Sequence, residues 1–372
     1  MIHAVLWIQF LFGVGQIFSQ HKGSSDLNVP ELSLSCHNMT PSLQARLLDS
    51  AILQLEKNAE KGEWSKIGKG VKKVQKGDSG LIVMQLRKCL SEQGYQNDLS
   101  NPVFDESLEG GIMSYQFHHG LTADGIIGKA SLREINTPAS ERISMVLANL
   151  PAAKSWETQV ILRSVTINIP SFMLHANEGS GQGFSCRVVV GKLENPTAEF
   201  SAQMEEVVFN PYWDIPNSIL KKEIIPEIKK DPGFLDKNHM EWIGGRLRQQ
   251  PGDDNALGRI KFIFPNPYHM YLHDTPAKQL FEMGVRAFSH GCIRVADPQA
   301  LALFCLKDTE WGNLEKIKEL TRLDKEIRIS LKEKIPVNIV YLTAFVDQSG
   351  HLNFRPDLYK KRQKGLKPSK KG

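Results

Sequence analysis

The spacing of apolar positions divides the chain into a helical first part and a strand-rich second part. After Thr40-Pro41, apolar residues recur every four positions to about residue 60, which predicts an amphipathic helix. Between about 71 and 136, three stretches with helical periodicity alternate with glycine-rich turns and predict a small three-helix domain. From about residue 157, β-branched runs bounded by proline and glycine predict strands.

Further strand and helix predictions follow from the second part. The strand-like runs are 159–169, 186–191, 207–209, 261–264 and 268–273. Alternation in the last run would place His269, Tyr271 and His273 on one face. Asp297-Pro298 has the composition of a helix start, and 336–354 predicts two strands joined across 347–350.

The strand pattern is interrupted at 213–245. This segment has helical periodicity that we expect Pro226 to break and Pro232-Gly233 to stop, which predicts a helical insertion. The predicted fold class is therefore α+β: a three-helix domain (71–136) precedes a β-rich domain (157–306) with a helical insertion, and a C-terminal extension (307–358) completes the β-rich domain.

Composition and charge exclude several classes of protein. With 372 residues, of which 41% are hydrophobic, the chain is large and apolar enough for about two or three domains with packed cores. The net charge is +5, but seven basic residues lie in the last thirteen, so the rest of the chain carries −2. This distribution argues against a nucleic-acid-binding body. We expect residues 359–372 to form a disordered basic tail.

The first 19 residues are mostly apolar, but the segment is short for a transmembrane helix and is interrupted by glycine and glutamine. We therefore interpret residues 1–19 as a secretory signal. An uncleaved anchor remains an alternative. The chain has five cysteines, an odd number for an exported protein, so at least one thiol should stay unpaired. Whether Cys36 and Cys89 pair is left open.

Candidate chemistry is concentrated in Ser289-His290-Gly291-Cys292-Ile293-Arg294. A cysteine nucleophile attacks as the thiolate and needs a base or a local positive field, which histidine and arginine next to it supply. Gly291 removes a side chain beside the sulfur, and backbone N–H groups around Cys292 could donate to an oxyanion.

His273 lies at the end of a predicted strand, and a loop of suitable length could return Cys292 to that strand end. His273, His290 and Cys292 could alternatively be zinc ligands. However, the sequence lacks a His-Glu-x-x-His motif, a Cys-x-x-Cys motif and an acidic cluster at suitable spacing. We therefore predict no metal.

Two sets of motifs resemble known families. The Gly-Asp-x-Gly opening, the Phe-Asp helix start and the Asp-Gly-Ile-x-Gly loop of 71–136 resemble a peptidoglycan-binding domain. His273-Asp-Thr followed by Ser-His-Gly-Cys-x-Arg closely resembles the YkuD-type L,D-transpeptidase signature. Residues 210–216, 251–262 and 336–354 extend the resemblance to the longer, lid-bearing murein transpeptidases. The connector 149–156 departs from them because it lacks their arginines.

The resemblance implies a nucleophile Cys292 and a proton acceptor and donor His273, with Ser289 and His290 shaping the nucleophile loop. Arg294 would support the site or hold a substrate carboxylate, and a salt bridge that ties the loop down is its alternative. Tyr271 would line the cleft or be a partly buried core residue. No cofactor is expected.

The function implied is the formation of 3→3 cross-links in peptidoglycan, outside the cytoplasm in the periplasm or cell envelope. The partners would be a tetrapeptide donor stem and the side-chain amine of a diamino acid in a second stem, and carbapenem-type inhibitors are expected. The alternatives are an L,D-carboxypeptidase, an enzyme that transfers stems to a lipoprotein lysine, and an inactive wall-binding scaffold.

Overall fold

The computed structural model describes two compact units. One contains residues 50–143 and 350–352, and the other contains residues 41–49, 144–349 and 353–362. The described residues are 41–60, 62, 64–154, 163–178, 183–347 and 349–362. The predicted signal segment 1–19 and Cys36 lie outside them. Within the described ranges, none of the helices combines the length and apolar character needed to cross a bilayer.

The first unit contains the predicted three helices, α2 (Leu81–Glu92), α3 (Glu106–His118) and α4 (Lys129–Ile135). Helix α1 (Pro41–Ala59) is divided between the two units. Apolar residues of α2 and α3 are buried at helical spacing around Tyr115, which forms the small core. Helix α3 begins where Asp105 accepts a hydrogen bond from the Leu108 N–H at 2.9 Å.

The second unit contains a large sheet with helices packed on one of its faces. Its helices are α5 (Ala139–Leu147), which begins in the first unit, α6 (Leu150–Lys154), α7 (Asn217–Ile219), α8 (Ile225–Lys230), α9 (Phe234–Lys237), α10 (Pro298–Leu306) and α11 (Leu314–Thr321). Its strands are β1 (Arg163–Asn168), β2 (Met173–Glu178), β3 (Phe184–Gly191), β4 (Phe200–Phe209), β5 (Trp213–Asp214), β6 (Met240–Ile243), β7 (Arg246–Gln249), β8 (Ile260–Ile263), β9 (Leu272–His273), β10 (Ala287–Ser289), β11 (Ile293–Val295), β12 (Ile327–Val340), β13 (Ala344–Val346) and β14 (Leu352–Phe354). The first residue of β14 belongs to the first unit.

Pairing between distant strands closes the large sheet on itself. In the described residues its order is β10-β3-β11-β9-β8-β4-β12-β1-β2, and β2 also pairs with β3. Strand β12 lies between β4 and β1, so the C-terminal extension supplies a central strand. This closure satisfies the backbone groups that an open sheet would leave unpaired at its edges.

The two faces of the sheet differ in polarity. Alternate residues such as Ile167, Val207, Phe262 and Ile293 are buried in one apolar cluster with α10 and α11. Asp297 caps α10 by accepting a hydrogen bond from the Ala300 N–H at 2.9 Å. The intervening residues of β8, β9 and β11 lie on the opposite face, where the polar side chains of the nucleophile region are found.

The insertion, which we define as Trp213–Gln249, is only partly helical, so the prediction of a helical segment is wrong for its ends. Strands β5, β6 and β7 form a separate three-stranded sheet in the order β5-β7-β6. Helical turns run without a break from Asn217 to Lys230 and pass Pro226. A wider π-helical turn at Leu220–Ile224 precedes the proline, whose ring would clash with a carbonyl in a regular α-helix. Ile215, Leu220, Ile224 and Leu247 form a small core within the insertion.

Two other predictions need correction. The run 268–273 contributes only Leu272 and His273 to a strand, because His269 has a left-handed backbone with φ of 53°. His269 is exposed and does not continue the face of His273. The predicted tail begins too early, because the Lys361 ammonium lies 2.7 Å from the Glu199 carboxylate and the Arg362 guanidinium donates to the Tyr341 carbonyl.

Candidate active site

A row of three polar side chains crosses strands β8, β9 and β11. His273 pairs with Lys261 of the antiparallel neighbour β8 and with Arg294 of the parallel neighbour β11. Directly paired residues on neighbouring strands project to the same face. Lys261 and Arg294 therefore flank His273 on the face opposite the apolar core, and Cys292, two residues before Arg294, projects to the same face.

The backbone of the nucleophile loop is held in an unusual conformation. Gly291 has φ of 117°, which side-chain-bearing residues rarely adopt. The Ser289 hydroxyl donates to the Cys292 carbonyl at 2.5 Å and accepts from the Gly291 N–H at 3.1 Å. Ser289 thus closes a tight turn that presents the Cys292 side chain.

Two residues that sequence reasoning missed support the same turn. The Thr197 hydroxyl donates to the Gly291 carbonyl at 2.8 Å and accepts from the Gly191 N–H at 2.9 Å. The Tyr359 hydroxyl in turn donates to the Gly191 carbonyl at 2.5 Å and accepts from the Thr197 N–H at 3.2 Å. Both residues are far from Cys292 in sequence, so local motifs carry no signal for them.

The hydrogen bonding of His273 identifies its tautomer. Its Nδ1 lies 2.5 Å from the Asp274 backbone carbonyl, which only accepts, so Nδ1 carries the proton and donates. Nε2 of the neutral ring is then the basic nitrogen. Burial, together with the charges of Arg294 and Lys261, lowers the pKa of His273 to about 3, so the ring is neutral at physiological pH.

Asp274 fixes the end of the strand that carries His273, a role that sequence reasoning did not assign. Its carboxylate accepts hydrogen bonds from the Arg259 N–H at 2.9 Å and its neighbour Thr275 at 2.7 Å, and it forms an ion pair with Lys278. A Cβ at Gly258 would lie 2.4 Å from the Asp274 carboxyl carbon. Only glycine leaves room for this carboxylate.

Tyr271 is a neighbour of the histidine and also acts on the candidate nucleophile. Its ring meets the His273 ring edge to face, with centroids 5.6 Å apart, and its side chain and backbone both lower the pKa of the Cys292 thiol. Burial raises the pKa of Cys292 above its usual range, while the Tyr271 hydrogen bonds and the charges of Lys261 and Arg294 oppose that rise. Burial also raises the pKa of Tyr271, which keeps its hydroxyl protonated.

Lys261 and Arg294 are both half-buried cations. The Lys261 ammonium lies 3.9 Å from the centroid of the Tyr271 ring. Across the described ranges no carboxylate lies within 4 Å of either cation, and the Arg294 Nε has no hydrogen-bond partner. The salt-bridge alternative for Arg294 is therefore not observed there, and the site face carries excess positive charge.

His290 points toward the insertion. Its Nε2 lies 2.7 Å from a carboxylate oxygen of Glu223, which lies in the π-helical turn. Among the described groups, Cys292, His273 and His290 do not bring their ligand atoms within 4.8 Å of one another, so the alternative zinc site lacks the required geometry.

The other described cysteines differ from Cys292 in exposure. Cys89, Cys186 and Cys305 are buried, whereas Cys292 is partly accessible. Burial raises the pKa values of the three buried thiols to about 11, 11 and 12. The Cys89 thiol donates to the Ser65 carbonyl at 3.1 Å, and its suggested partner Cys36 lies outside the described residues.

Comparison with protein-family models assigns both parts of the chain. Residues 162–317 match YkuD, the L,D-transpeptidase catalytic domain, and residues 79–135 match a model described as "Putative peptidoglycan binding domain". A Haemophilus influenzae protein named "Putative L,D-transpeptidase" is 30% identical over 216 residues, which cover 52% of this chain and 44% of that protein. The chain thus spans less than half the length of this curated relative.

Solved L,D-transpeptidases also align with the chain. One from Stackebrandtia nassauensis is 13% identical, covers 76% of this chain and 97% of its own, and gives a TM-score of 0.29. L,D-transpeptidase 3 from Mycobacterium tuberculosis, solved with a faropenem-derived adduct, is 13% identical, covers 48% of this chain and 60% of its own, and gives a TM-score of 0.27.

The family matches enclose the structural features described above. Every member of the candidate site from Lys261 to Arg294 lies within the matched range 162–317, and the three helices α2, α3 and α4 carry the matched range 79–135. Residues 162–317 are therefore a YkuD-type L,D-transpeptidase catalytic domain, and a peptidoglycan-binding domain at residues 79–135 precedes it.

Proposed function

We propose that the chain is a peptidoglycan L,D-transpeptidase that forms 3→3 cross-links through a thioester on Cys292. The observation that carries this proposal is that neighbouring strands place a partly accessible thiol and a neutral histidine on one sheet face, inside the matched catalytic domain.

In the acylation step, the Cys292 sulfur attacks the carbonyl of the third residue of a tetrapeptide stem. The thiol proton passes to Nε2 of His273, and the same proton then goes to the nitrogen of the departing D-alanine. The amide bond breaks as the thioester forms. An imidazolium between Lys261 and Arg294 is unfavourable, so we expect proton transfer to be concerted with attack rather than to precede it.

In the second step, the side-chain amine of a diamino acid in a neighbouring stem attacks the thioester. His273 accepts the proton that the attacking nitrogen loses, the C–S bond breaks, and the same proton passes from His273 to the departing sulfur. The products are the cross-linked stems and free Cys292. No metal or organic cofactor takes part in this balance.

We assign roles to the surrounding residues on their contacts. Ser289 and Gly291 shape the turn that carries the nucleophile. Tyr271 contacts the His273 ring, favours the thiolate of Cys292 and lines the cleft. Arg294 has no acidic partner among the described residues, which favours a role in holding a substrate carboxylate.

The insertion is proposed to act as a lid over the site. Its own small core supports movement as a unit, and the contact between Glu223 and His290 joins it to the nucleophile loop. A closed lid would exclude water from the thioester and favour attack by an amine. The alternative is a static surface insertion.

The proposal places the protein outside the cytoplasm, in the periplasm or cell envelope, because its substrate is cell-wall peptidoglycan. The three-helix domain would hold the catalytic domain close to its insoluble substrate. The effective concentration of peptide stems at the active site would then increase without any change in the chemistry of the site.

Three other functions share much of this architecture. An L,D-carboxypeptidase would use water in place of the amine, another acyltransferase would use a lipoprotein lysine, and a scaffold would not react. Incubating the purified protein with tetrapeptide-bearing muropeptides and weighing the products distinguishes the first and last of these from the proposal. Cross-linked dimers support it, tripeptides alone indicate a carboxypeptidase, and unchanged substrate indicates a scaffold.

Transfer to a lipoprotein needs a separate assay. The same reaction is run with a lysine-terminated peptide as a competing acceptor at equal concentration. Preferential capture of the lysine peptide over the stem amine would overturn the proposed acceptor.

A further inference from the structure

We propose that Lys261 is a positioning residue that acts on the nucleophile: its ammonium stabilises the Cys292 thiolate. The inference rests on the proposed role of Cys292 as nucleophile and adds the charged group that makes the sulfur reactive.

The first support is the position of Lys261 on the sheet. Its pairing with His273 places its side chain on the face that carries Cys292, and its ammonium lies 3.9 Å from the centroid of the Tyr271 ring. Tyr271 and the ammonium both act on the Cys292 thiol and oppose the rise of its pKa. The strand register and the ring contact therefore place the ammonium in the part of this face that carries the thiol.

The second support is the lack of a competing counter-ion. Lys261 is half-buried, and no described carboxylate lies within 4 Å of its ammonium. The more distant acidic groups that act on it are Glu326 and Asp214, and Arg328 opposes them. A buried cation normally requires a partner, and the Cys292 sulfur is a suitable anion on this face.

The third support is that His273 does not provide the positive charge. In many cysteine enzymes an imidazolium stabilises the thiolate. Here burial and two neighbouring cations hold His273 neutral, with a pKa of about 3. The charges that favour the thiolate come from Lys261 and Arg294, while His290 faces Glu223 on the insertion.

The test measures thiolate formation directly in the full chain. The rate at which iodoacetamide alkylates Cys292 is followed by peptide mass spectrometry between pH 5 and 10, where thiolate sulfur displaces iodide. Lys261→Met keeps side-chain length and removes charge, and Lys261→Arg keeps the charge. Lys332→Met, at an exposed position of β12, is the matched control.

We expect Lys261→Met to raise the pKa of the Cys292 thiol, read from the pH profile of alkylation, by about one unit. At pH values below the thiol pKa of both the parent and the variant, the variant should then be alkylated about ten-fold more slowly. Lys261→Arg and Lys332→Met should keep the parent profile, with thermal midpoints checked for all variants. Should Lys261→Met not fold, Lys261→Gln provides the same comparison.

An unchanged profile in the folded charge-removing variant would overturn the proposal. So would an equal shift in Lys261→Arg, because the effect would then come from packing. Alkylation needs no peptidoglycan substrate, so this result is independent of whether the enzyme cross-links or trims stems.

Discussion

The proposed chemistry depends at the level of single side chains on two groups with shifted pKa values. His273 is buried and neutral, with Nδ1 fixed by the Asp274 carbonyl and Nε2 left as the base. Cys292 is partly accessible, and burial raises the pKa of its thiol against the influence of two cations and Tyr271. The reactive pair therefore rests as a neutral base and a predominantly protonated thiol.

Replacing the nucleophile tests the proposed mechanism. Cys292→Ala removes the sulfur and little volume, so acyl transfer to muropeptides should fall by at least about 1,000-fold while unfolding free energy changes by less than about 1 kcal/mol. Product formation is measured by mass spectrometry and stability by urea unfolding. Cys305→Ala, in the apolar core, is the control: it should lower stability and keep turnover per folded molecule. Full activity in Cys292→Ala would refute the mechanism.

The buried histidine should also make stability depend on pH. The folded pKa of about 3 lies below the unfolded value of about 6.5, so the unfolded chain binds the proton first on acidification. Stability contributed by neutral His273 is present above about pH 6.5 and is lost as pH falls through the window between these values. Between pH 7.5 and 5.0, His273 alone should account for about 2 kcal/mol of lost stability.

Urea unfolding of His273→Asn at the two pH values checks this expectation. The variant should lose about 2 kcal/mol less than the parent over that interval, because asparagine does not titrate. The control is His239→Asn, which replaces an exposed histidine whose positive φ asparagine tolerates. Its stability should depend on pH in the same way as that of the parent. Equal pH dependence in the parent and His273→Asn would contradict burial of the neutral ring.

At the level of secondary structure, the insertion is the element most directly connected to the nucleophile loop. Its π-helical turn carries Glu223 to His290, and its helices continue through Pro226. π-Helical turns often occur at functional positions, since the extra residue redirects side chains. The small core of Ile215, Leu220, Ile224 and Leu247 gives the insertion internal stability of its own.

Breaking the contact with His290 should loosen the proposed lid. Glu223→Ala should raise the ratio of hydrolysis to amine transfer roughly two- to five-fold, the range expected for losing one partly exposed hydrogen bond. The products from a tetrapeptide donor and an amine acceptor are quantified by mass spectrometry. Glu227→Ala, whose side chain pairs with Lys230 within the insertion, is the matched control. An unchanged ratio in Glu223→Ala, together with an unchanged ratio after deletion of the insertion, would identify it as a static element.

Across the protein as a whole, burial separates one cysteine from the others that the structure describes. Cys89 lies in the first unit, while Cys186 and Cys305 lie in the core of the second unit. Their pKa values are raised by burial, which makes them poor nucleophiles. Among the described thiols only Cys292 is partly accessible, so we expect an electrophile to reach it first.

Carbapenem-type β-lactams should react with Cys292 and leave the other cysteines unmodified. Their strained carbonyl should acylate Cys292 and open the lactam ring, adding one inhibitor mass to the intact protein. Peptide mapping of the adduct, with Cys292→Ala as the unreactive control, identifies the site. An adduct on Cys89, Cys186, Cys305 or Cys36 would move the reactive centre elsewhere.

Several properties of this protein were determined by the sequence alone. The apolar spacing predicted the three short helices and the change to a strand-rich region, and Asp297-Pro298 marked the start of α10. The spacing of His273 and Cys292 carried the family resemblance that the domain matches confirm. These features depend on local backbone preferences and on residues close together in the chain.

Other properties were decided only by the tertiary structure. Strand register placed Lys261 beside His273, and packing brought Thr197 and Tyr359 to the nucleophile turn. Register and loop contacts are set by hydrogen bonds and burial between segments far apart in sequence, and a linear pattern of polar and apolar residues does not record which distant segments will meet.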